Sequence, residues 1–550
     1  MANKWATPPR KRHQMVLMGA SLDEQIVADD PIRMLDKILL NLDWTDWEAE
    51  YSAGAGRPPV EPRLMAGATL YGLMNRIRSS RDLETATRMR VDFHWFLEGL
   101  SVDHCTFARF RNRFGDKLEG LLGDLNREAG KLIKAGPKRL AVDGTIMRSN
   151  SDRHGARTAT LLQAKIDSLQ AGFSEILAEM EMLDAMDAVD DASIAALEKR
   201  KAALEKQQEK LEKALEVARA KDEVKKQKDG QNAMEVRVPV TDPDSSLLLN
   251  KDGGFAPNYT ATGAVDIDSG LIVHADVPSG GDEASVVQSA VEEAEETFGE
   301  KPEHVLFDSN FPSGENLEYL SENNVEALAP SKAAKDGNPA MRPDPVKPID
   351  EEEVSKLLTR KGKLGKELFA YDADTDSYHC PMGRNLPFHR ITKRRKKGGG
   401  EMVVREYKCN DCSDCPLAKK CLNRKAVTRR VSRDEYEPLR EKLAARMQTD
   451  EAKQLYKKRA PKIEGVFGYI KGSMGIRGFL TRGHKKVQTE WRWICGAYSM
   501  RMLMGIMKKK RASNPDPIQK NTLGNCADPI FMLFLALFRP YRQRTYAEAA

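Results

Sequence analysis

Two groups of residues in this 550-residue chain have the types and spacing to do chemistry: a knot of cysteines, and carboxylates placed at the ends of apolar runs. Five of the eight cysteines fall between positions 380 and 421. Cys409, Cys412 and Cys415 follow one another at three-residue steps, Cys421 lies beyond Cys415-Pro, and Cys380-Pro-Met-Gly precedes them all. Zn²⁺ takes four thiolates tetrahedrally, which leaves no position open, so the spacing predicts a structural zinc site. Cys380, Cys412, Cys415 and Cys421 form the preferred set, with Cys409 the odd one or a replacement for another. Clustered thiols also indicate a reducing compartment rather than a disulfide framework. Cys105, Cys495 and Cys526 stand alone and are expected in the buried core.

The carboxylates are Asp143, which ends Leu-Ala-Val, and Asp308, which ends Val-Leu-Phe. An Asp at the end of a strand lies beside a loop at the edge of the core, where α/β sheets present ligands. By itself it is as readily a turn former or a helix N-cap. Glu464 adds a third. Pro461 suits a helix start, Glu464 falls in the first turn, and Lys471 lies seven residues on, two turns along the same stripe. Such a helix aims a carboxylate and an ammonium into one cleft. An amphipathic surface helix, with Val466 and Phe467 as its buried side, has the same pattern.

These residues need elements to hold them. Hydrophobic residues make up 40% and charged residues 31%, so most of the chain should fold, and its length calls for several units. The net charge is +6, but basic residues concentrate in 393–397, 419–433 and 482–511, and local blocks of this kind can bind a phosphate backbone. Met1–Gln14 is polar and basic, without a signal-peptide core. The longest apolar run, Ile530–Phe538, is far shorter than the roughly 20 residues that a membrane span needs. A cytoplasmic location is expected.

Residues 1–135 read as a helical unit. Leu64, Ala68, Leu70, Tyr71, Met74 and Ile77 recur at helical spacing over Pro62–Ile77. Asp82–Arg90 and Thr106–Leu122 read as two further helices around a loop at Gly99–Val102. Arg109, Arg111 and Arg113 stud the second, compatible with helix-turn-helix DNA reading and equally with a plain helical bundle. Strand signals start at 136–157 and resume at 231–330: Arg139–Val142, a hairpin of Tyr259–Ile267 and Leu271–Val277 around Asp268-Ser269-Gly270, His304–Phe307 and Val325–Leu328. Helices are expected at Glu283–Phe298 and Ser313–Asn323. Two insertions interrupt this α/β order. Residues 158–230 carry Leu197, Leu204 and Leu211 at heptad spacing and read as an antiparallel helical hairpin, part coiled coil, serving as a dimerisation arm or as a solvated spacer. Residues 331–432 combine a proline-rich linker with the cysteine module. Helix returns over 433–512 (Arg433–Arg459, Lys462–Gly472, Val487–Lys510), and 513–550 form a tail.

The constellation Tyr456-x2-Arg459, Glu464, Lys471 resembles the Tyr-Arg-Glu-Lys signature of DDE transposases from bacterial insertion sequences, most closely the eleven-eighty-two group. Four residues separate Arg459 from Glu464 where the signature has three. Arg78-Ser-Ser-Arg81-Asp-Leu83, Asp103-His104-Cys-Thr106-Phe-Ala-Arg109-Phe110-Arg111, Thr241-Asp-Pro-Asp244-Ser245, Lys251-Asp-Gly-Gly-Phe255 and Ser313-Gly-Glu-Asn-Leu317 extend the likeness over most of the chain outside the hairpin. Asp308-Ser-Asn-Phe stands where relatives more often have Asp-Ala-Gly-Tyr. The resemblance implies a ribonuclease H-like mixed sheet and an enzyme that cuts and joins double-stranded DNA at transposon ends. It further implies Mg²⁺ (or Mn²⁺) held by Asp143, Asp308 and Glu464, with Asp143 bridging two ions. Lys471 and Arg459 would contact phosphates, Tyr456 would position the DNA end, and Arg109 and Arg111 would serve DNA binding. A homodimer on paired ends and association with the nucleoid are implied as well. A catalytically inactive DNA-binding descendant is the alternative.

Overall fold

The computed structural model describes residues 21–51, 58–133, 136–184, 191–229, 233–250, 253–279, 285–309, 311–331, 333–334, 338–342, 344–350, 359–360, 362–395, 400–423 and 426–513. Besides a single helical turn at Thr45–Glu48, six helices come first: α1 (Pro31–Leu40), α2 (Pro62–Met74), α3 (Ser80–Met89), α4 (Val91–Phe96), α5 (His104–Arg113) and α6 (Leu118–Ile133). Local chemistry sets their starts. Pro62 opens α2, where its missing N–H costs nothing. Ser79 and Asp103 cap α3 and α5 by accepting from the backbone N–H of Asp82 and Thr106. The expected helix Thr106–Leu122 is broken at Phe114–Lys117, because Gly115 lies against α14 (His484–Ser513): a Cβ there would stand 2.5 Å from Thr489 Oγ1. Helix α4 was not expected; it fills the span between the two anticipated helices.

The central sheet is mixed. Its strands are β1 (Arg139–Arg148), β2 (Ser246–Leu249), β3 (Phe255–Asp266), β4 (Ile272–Asp276), β5 (His304–Phe307) and β6 (Glu326–Leu328). β3 pairs antiparallel with β2 and β4 on one side and with β1 on the other, while β1, β5 and β6 run parallel. The order β4-β3-β1-β5-β6 is consistent with a ribonuclease H-like core. The expected hairpin is present, with Gly270 at φ 79° in its turn. Helices α9 (Val286–Phe298) and α10 (Gly314–Glu322) make the crossovers to β5 and β6. One continuous hydrophobic cluster joins the amino-terminal helices, this sheet and the carboxy-terminal helices.

Between β1 and β2 stand two long helices, α7 (Ala159–Asp184) and α8 (Asp191–Asp229). They pair antiparallel, since Arg219 bonds Gln163 near one end and Arg200 reaches Glu179 near the other. Leu162, Ile166, Leu211, Leu215 and Ala218 form their seam.

Residues 331–432 hold more than a linker. A second sheet of five antiparallel strands runs β7 (Ala370–Asp372), β8 (Ser377–His379), β9 (Asn385–Arg395), β10 (Glu401–Lys408) and β11 (Arg430–Asp434). β11 takes the start of the expected helix Arg433–Arg459, because residues 430–434 pair with β10. The remainder divides into α11 (Glu437–Arg446) and α12 (Asp450–Lys457), the latter restarted by Thr449 accepting from Ala452 N–H. Then come α13 (Arg459–Gly472) and α14. Cys495 is buried as expected, whereas Cys105 is exposed: it lies on the outer side of α5, opposite the buried Phe107 and Phe110. Ile530–Phe538 and Cys526 lie outside the described residues.

Candidate active site

Strand register brings the first two carboxylates together. β1 and β5 pair in parallel from Arg139 with His304 to Val142 with Phe307. The next residue on each strand is an Asp, so Asp143 and Asp308 stand side by side at one interstrand spacing, roughly 4.8 Å between chains. Asp143 is raised above the ordinary carboxyl range, first by burial and also by the charge of Asp308, with Arg459 opposing both. Beyond the N–H of the following Ser309, the Asp308 carboxylate has no hydrogen bond or ion pair among the described residues.

Helix α13 lies over the face that carries Asp143. Partners across β3 and β4 point to the same side, so Asp143, Gly263 and Ala275 share one face and Val142, Ala264 and His274 share the other. The Phe467 ring lies 3.6 Å from where a Gly263 Cβ would stand, so glycine there lets the helix approach. The helix buries Arg459, Ile463, Val466, Phe467 and Ile470. At its start, Arg459 donates to Asp143 Oδ2 at 2.9 Å and to the Val142 carbonyl at 3.3 Å. At its end, Lys471 Nζ donates to Thr145 Oγ1 at 2.6 Å and to the Ile146 carbonyl at 2.8 Å.

Glu464 lies between these two anchors, at about the same angular position as Lys471 on the helix. It is exposed and makes no ion pair among the described residues. Tyr456, on α12, donates to the Phe307 carbonyl at 3.4 Å, next to Asp308. Burial raises its hydroxyl, and Arg459, Asp308 and Asp143 all act on it. Tyr456, Arg459, Asp143 and Asp308 therefore form one cluster, with Glu464 and Lys471 further along the same helix. Sequence reading missed Thr145 and Gly263. The signal for Thr145 was its two-residue offset from Asp143 on a strand, which puts both on one face.

Two juxtaposed aspartates, one of them paired with Arg459, and an exposed glutamate on α13 offer hard oxygens, suited to divalent ions such as Mg²⁺. Residues 379–504 match the transposase DDE domain family, and residues 20–113 match a second transposase domain family, DUF772. Together the two matches support a DDE transposase of the bacterial insertion-sequence kind. The first match includes Glu464 and Lys471 of the transposase, and Asp143 and Asp308 precede it. No individual curated protein matches the sequence. Among the described residues no helix is long and apolar enough to cross a membrane.

The five clustered cysteines of the transposase gather in one small core with Leu364, Leu368, Phe369, Leu386 and Leu417. Cys409, Cys412 and Cys421 are buried, and Cys380 and Cys415 half-buried. Burial pushes Cys409 up to about 12 and Cys421 up to about 11. The charges acting on Cys421 come from Arg429, Cys380, Cys412 and Cys415, while Cys409 is tied to Cys412 and Cys380. Cys380 sits in a tight turn, with Gly383 N–H donating to its carbonyl at 2.8 Å. Thiols that burial and mutual repulsion keep protonated can be released by a divalent cation among them.

The arginines proposed for DNA lie differently. Arg109 is exposed on α5. Arg111 is turned inward: it donates to the Arg78 carbonyl at 2.8 Å, and burial lowers its guanidinium to about 10.

Proposed function

We propose that this transposase cleaves and joins DNA strands at the ends of its element, using Asp143, Asp308 and Glu464 to hold Mg²⁺ or Mn²⁺. The observation that carries the proposal is the strand register that sets Asp143 beside Asp308. Phosphodiester cleavage builds charge on the attacking and leaving oxygens, and two divalent ions about 3.5–4 Å apart stabilise both. In this reading Asp143, which stands beside Asp308 and pairs with Arg459 of α13, would be shared between the ions, with Asp308 and the more distant Glu464 each completing one of them. Lys471 lies on the same face, bound to Thr145 and within reach of a phosphate at the cleft. Arg459 pairs with Asp143 and Tyr456 bonds the Phe307 carbonyl beside Asp308, and both would turn to the DNA end when it arrives.

Cys380, Cys412, Cys415 and Cys421 are proposed as the structural Zn²⁺ set, since the first three all act on Cys421, with Cys409, hydrogen-bonded to Cys412, as the replacement for one of them. Bound there, zinc would lock β8 and β9 to the segment before β11. The second half of β9 exposes Arg390, Lys393 and Arg394, which suits contact with a DNA backbone. Arg109 of α5 is the second DNA contact proposed. The α7–α8 pair, with its coiled-coil seam, serves as an arm in a dimer that pairs two ends. The Tyr456–Arg459–Asp143 cluster supports the Tyr-Arg-Glu-Lys class, the extra residue before Glu464 falling within the start of α13.

The test is a Mg²⁺-dependent assay on terminal-repeat DNA with wild-type and Asp308→Asn protein. Cleavage and joining that vanish in the variant are the expected result. Joining that survives the substitution refutes the site, and end binding without cleavage by the wild type points instead to a catalytically inactive DNA-binding descendant.

A further inference from the structure

A second set of metal-capable side chains lies on the opposite face of the central sheet. Glu119 on α6, His274 on β4 and Glu293 on α9 bring one donor atom each within 4.8 Å of one another, a convergence found among the described residues at this place alone. His274 pairs across β3 with Ala264, and Ala264 with Val142, so its side chain points away from the face that carries Asp143.

The trio is unusually dry. His274 is 4% exposed and Glu293 8%, whereas the Glu119 side chain is 49% exposed and opens the site to solvent. His274 Nδ1 faces Glu293 Oε2. Glu293 Oε1 and His274 Nε2 are buried without a hydrogen-bond partner. A buried carboxylate oxygen without a donor costs about 1–3 kcal/mol, which argues that it has another partner in the working protein. Arg492 occupies Oε2 of Glu119 at 3.1 Å and leaves the other oxygen available.

We propose that Glu119, His274 and Glu293 bind one divalent transition-metal ion, Zn²⁺ or Mn²⁺, apart from the catalytic carboxylates. One imidazole and two carboxylates suit these ions better than Mg²⁺, which prefers oxygen ligands and keeps its waters. Tetrahedral bonds of about 2.1 Å set donors about 3.4 Å apart, so the hydrogen-bonded His274–Glu293 pair would open slightly and release its shared proton while the exposed Glu119 moves in. The ion would staple α6, which belongs to the amino-terminal helical layer, to β4 and α9 of the central sheet. These elements already touch through Asn126 Nδ2, which donates to the Ile272 carbonyl at 2.9 Å. The site would thus couple the helices that begin the chain to the sheet that carries the aspartates.

Mn²⁺ is the probe, because it avoids thiolates and leaves the cysteine module silent. Titrations of the full chain followed by electron paramagnetic resonance compare wild type, Asp308→Asn and Glu119→Gln. Glu119 is exposed, so its substitution should leave folding intact, and circular dichroism checks this. Loss of one bound Mn²⁺, or at least tenfold weaker binding of it, in Glu119→Gln is the expected result, with the same loss in Glu293→Gln. That class of ion must persist in Asp308→Asn. Unchanged Mn²⁺ stoichiometry and affinity in folded Glu119→Gln protein would overturn the proposal. An unchanged titration in Asp308→Asn would count against the active-site reading alone.

Discussion

Replacing Arg459 with Gln tests the centre of the proposed site from an unusual direction, because it should weaken the fold and strengthen metal binding together. The Arg459 side chain is 8% exposed and that of Asp143 22%, with 2.9 Å between Nη2 and Oδ2. At an effective dielectric of about 20, such a pair attracts by about 6 kcal/mol, much of which returns as the cost of desolvating the guanidinium. Removing one partner of a buried pair costs about 3–5 kcal/mol. Asp143 is partly open and can take a proton, so about 2 kcal/mol is expected for Arg459→Gln. That corresponds to a fall in melting temperature of roughly 4–8 °C if the core unfolds as one unit. A cation that enters beside Asp143 must give up the same interaction with Arg459. Without Arg459 its affinity should rise, by a factor of about ten to thirty for roughly 1.4–2 kcal/mol. The assay pairs thermal unfolding in chelator with Mn²⁺ binding by calorimetry, using Asp143→Asn as the variant without a ligand. Lower stability with unchanged or weaker Mn²⁺ binding would refute the idea that Arg459 stands in for metal at Asp143.

Four further outcomes follow from other parts of the molecule. Gly383 has φ 70°, and a Cβ there would stand 1.9 Å from the Val346 carbonyl, so Gly383→Ala should cost at least about 2 kcal/mol locally and lower zinc content measured by mass spectrometry. Cys421→Ser should release the proposed zinc, while Cys105→Ser, at an exposed position, should leave it bound. Lys471→Met removes two hydrogen bonds to β1, and a loss of about 1–3 kcal/mol in urea unfolding is expected, together with loss of strand joining. The last concerns pH: burial opposes a charged His274, but the hydrogen bond and charge of Glu293 outweigh it, so its folded pKa lies above the unfolded value of about 6.5. The stabilisation is complete below that value and fades as pH rises through the folded pKa; melting curves in chelator should therefore lose a slope above neutral pH in His274→Gln.

Much of the architecture was legible because burial writes a period into sequence. The apolar runs at Leu140–Val142 and Val305–Phe307 are β1 and β5, Ser313 caps α10, and the heptad leucines Leu197, Leu204 and Leu211 mark α8. The strands of residues 370–434 were hidden because their outer halves are exposed on both faces. Arg390, Ile391, Lys393 and Arg394 give neither a helical nor an alternating pattern. The expected helix from Arg433 failed for a related reason: local propensity there yields to pairing with β10, a partner more than twenty residues away.

The candidate site divides in the same way. Residue type and the preceding apolar run singled out Asp143 and Asp308, and helical spacing tied Glu464 to Lys471. Chemistry of this kind is local, so the sequence alone could carry it, as it carried the cysteine cluster. Only the tertiary structure decided that Asp143 and Asp308 stand abreast, since parallel register depends on how two strands 165 positions apart are hydrogen-bonded. It also decided that Arg459 faces Asp143, that Arg111 is turned inward, and that Glu119, His274 and Glu293 converge. Each of these contacts joins segments far apart in the chain, and packing alone selects them.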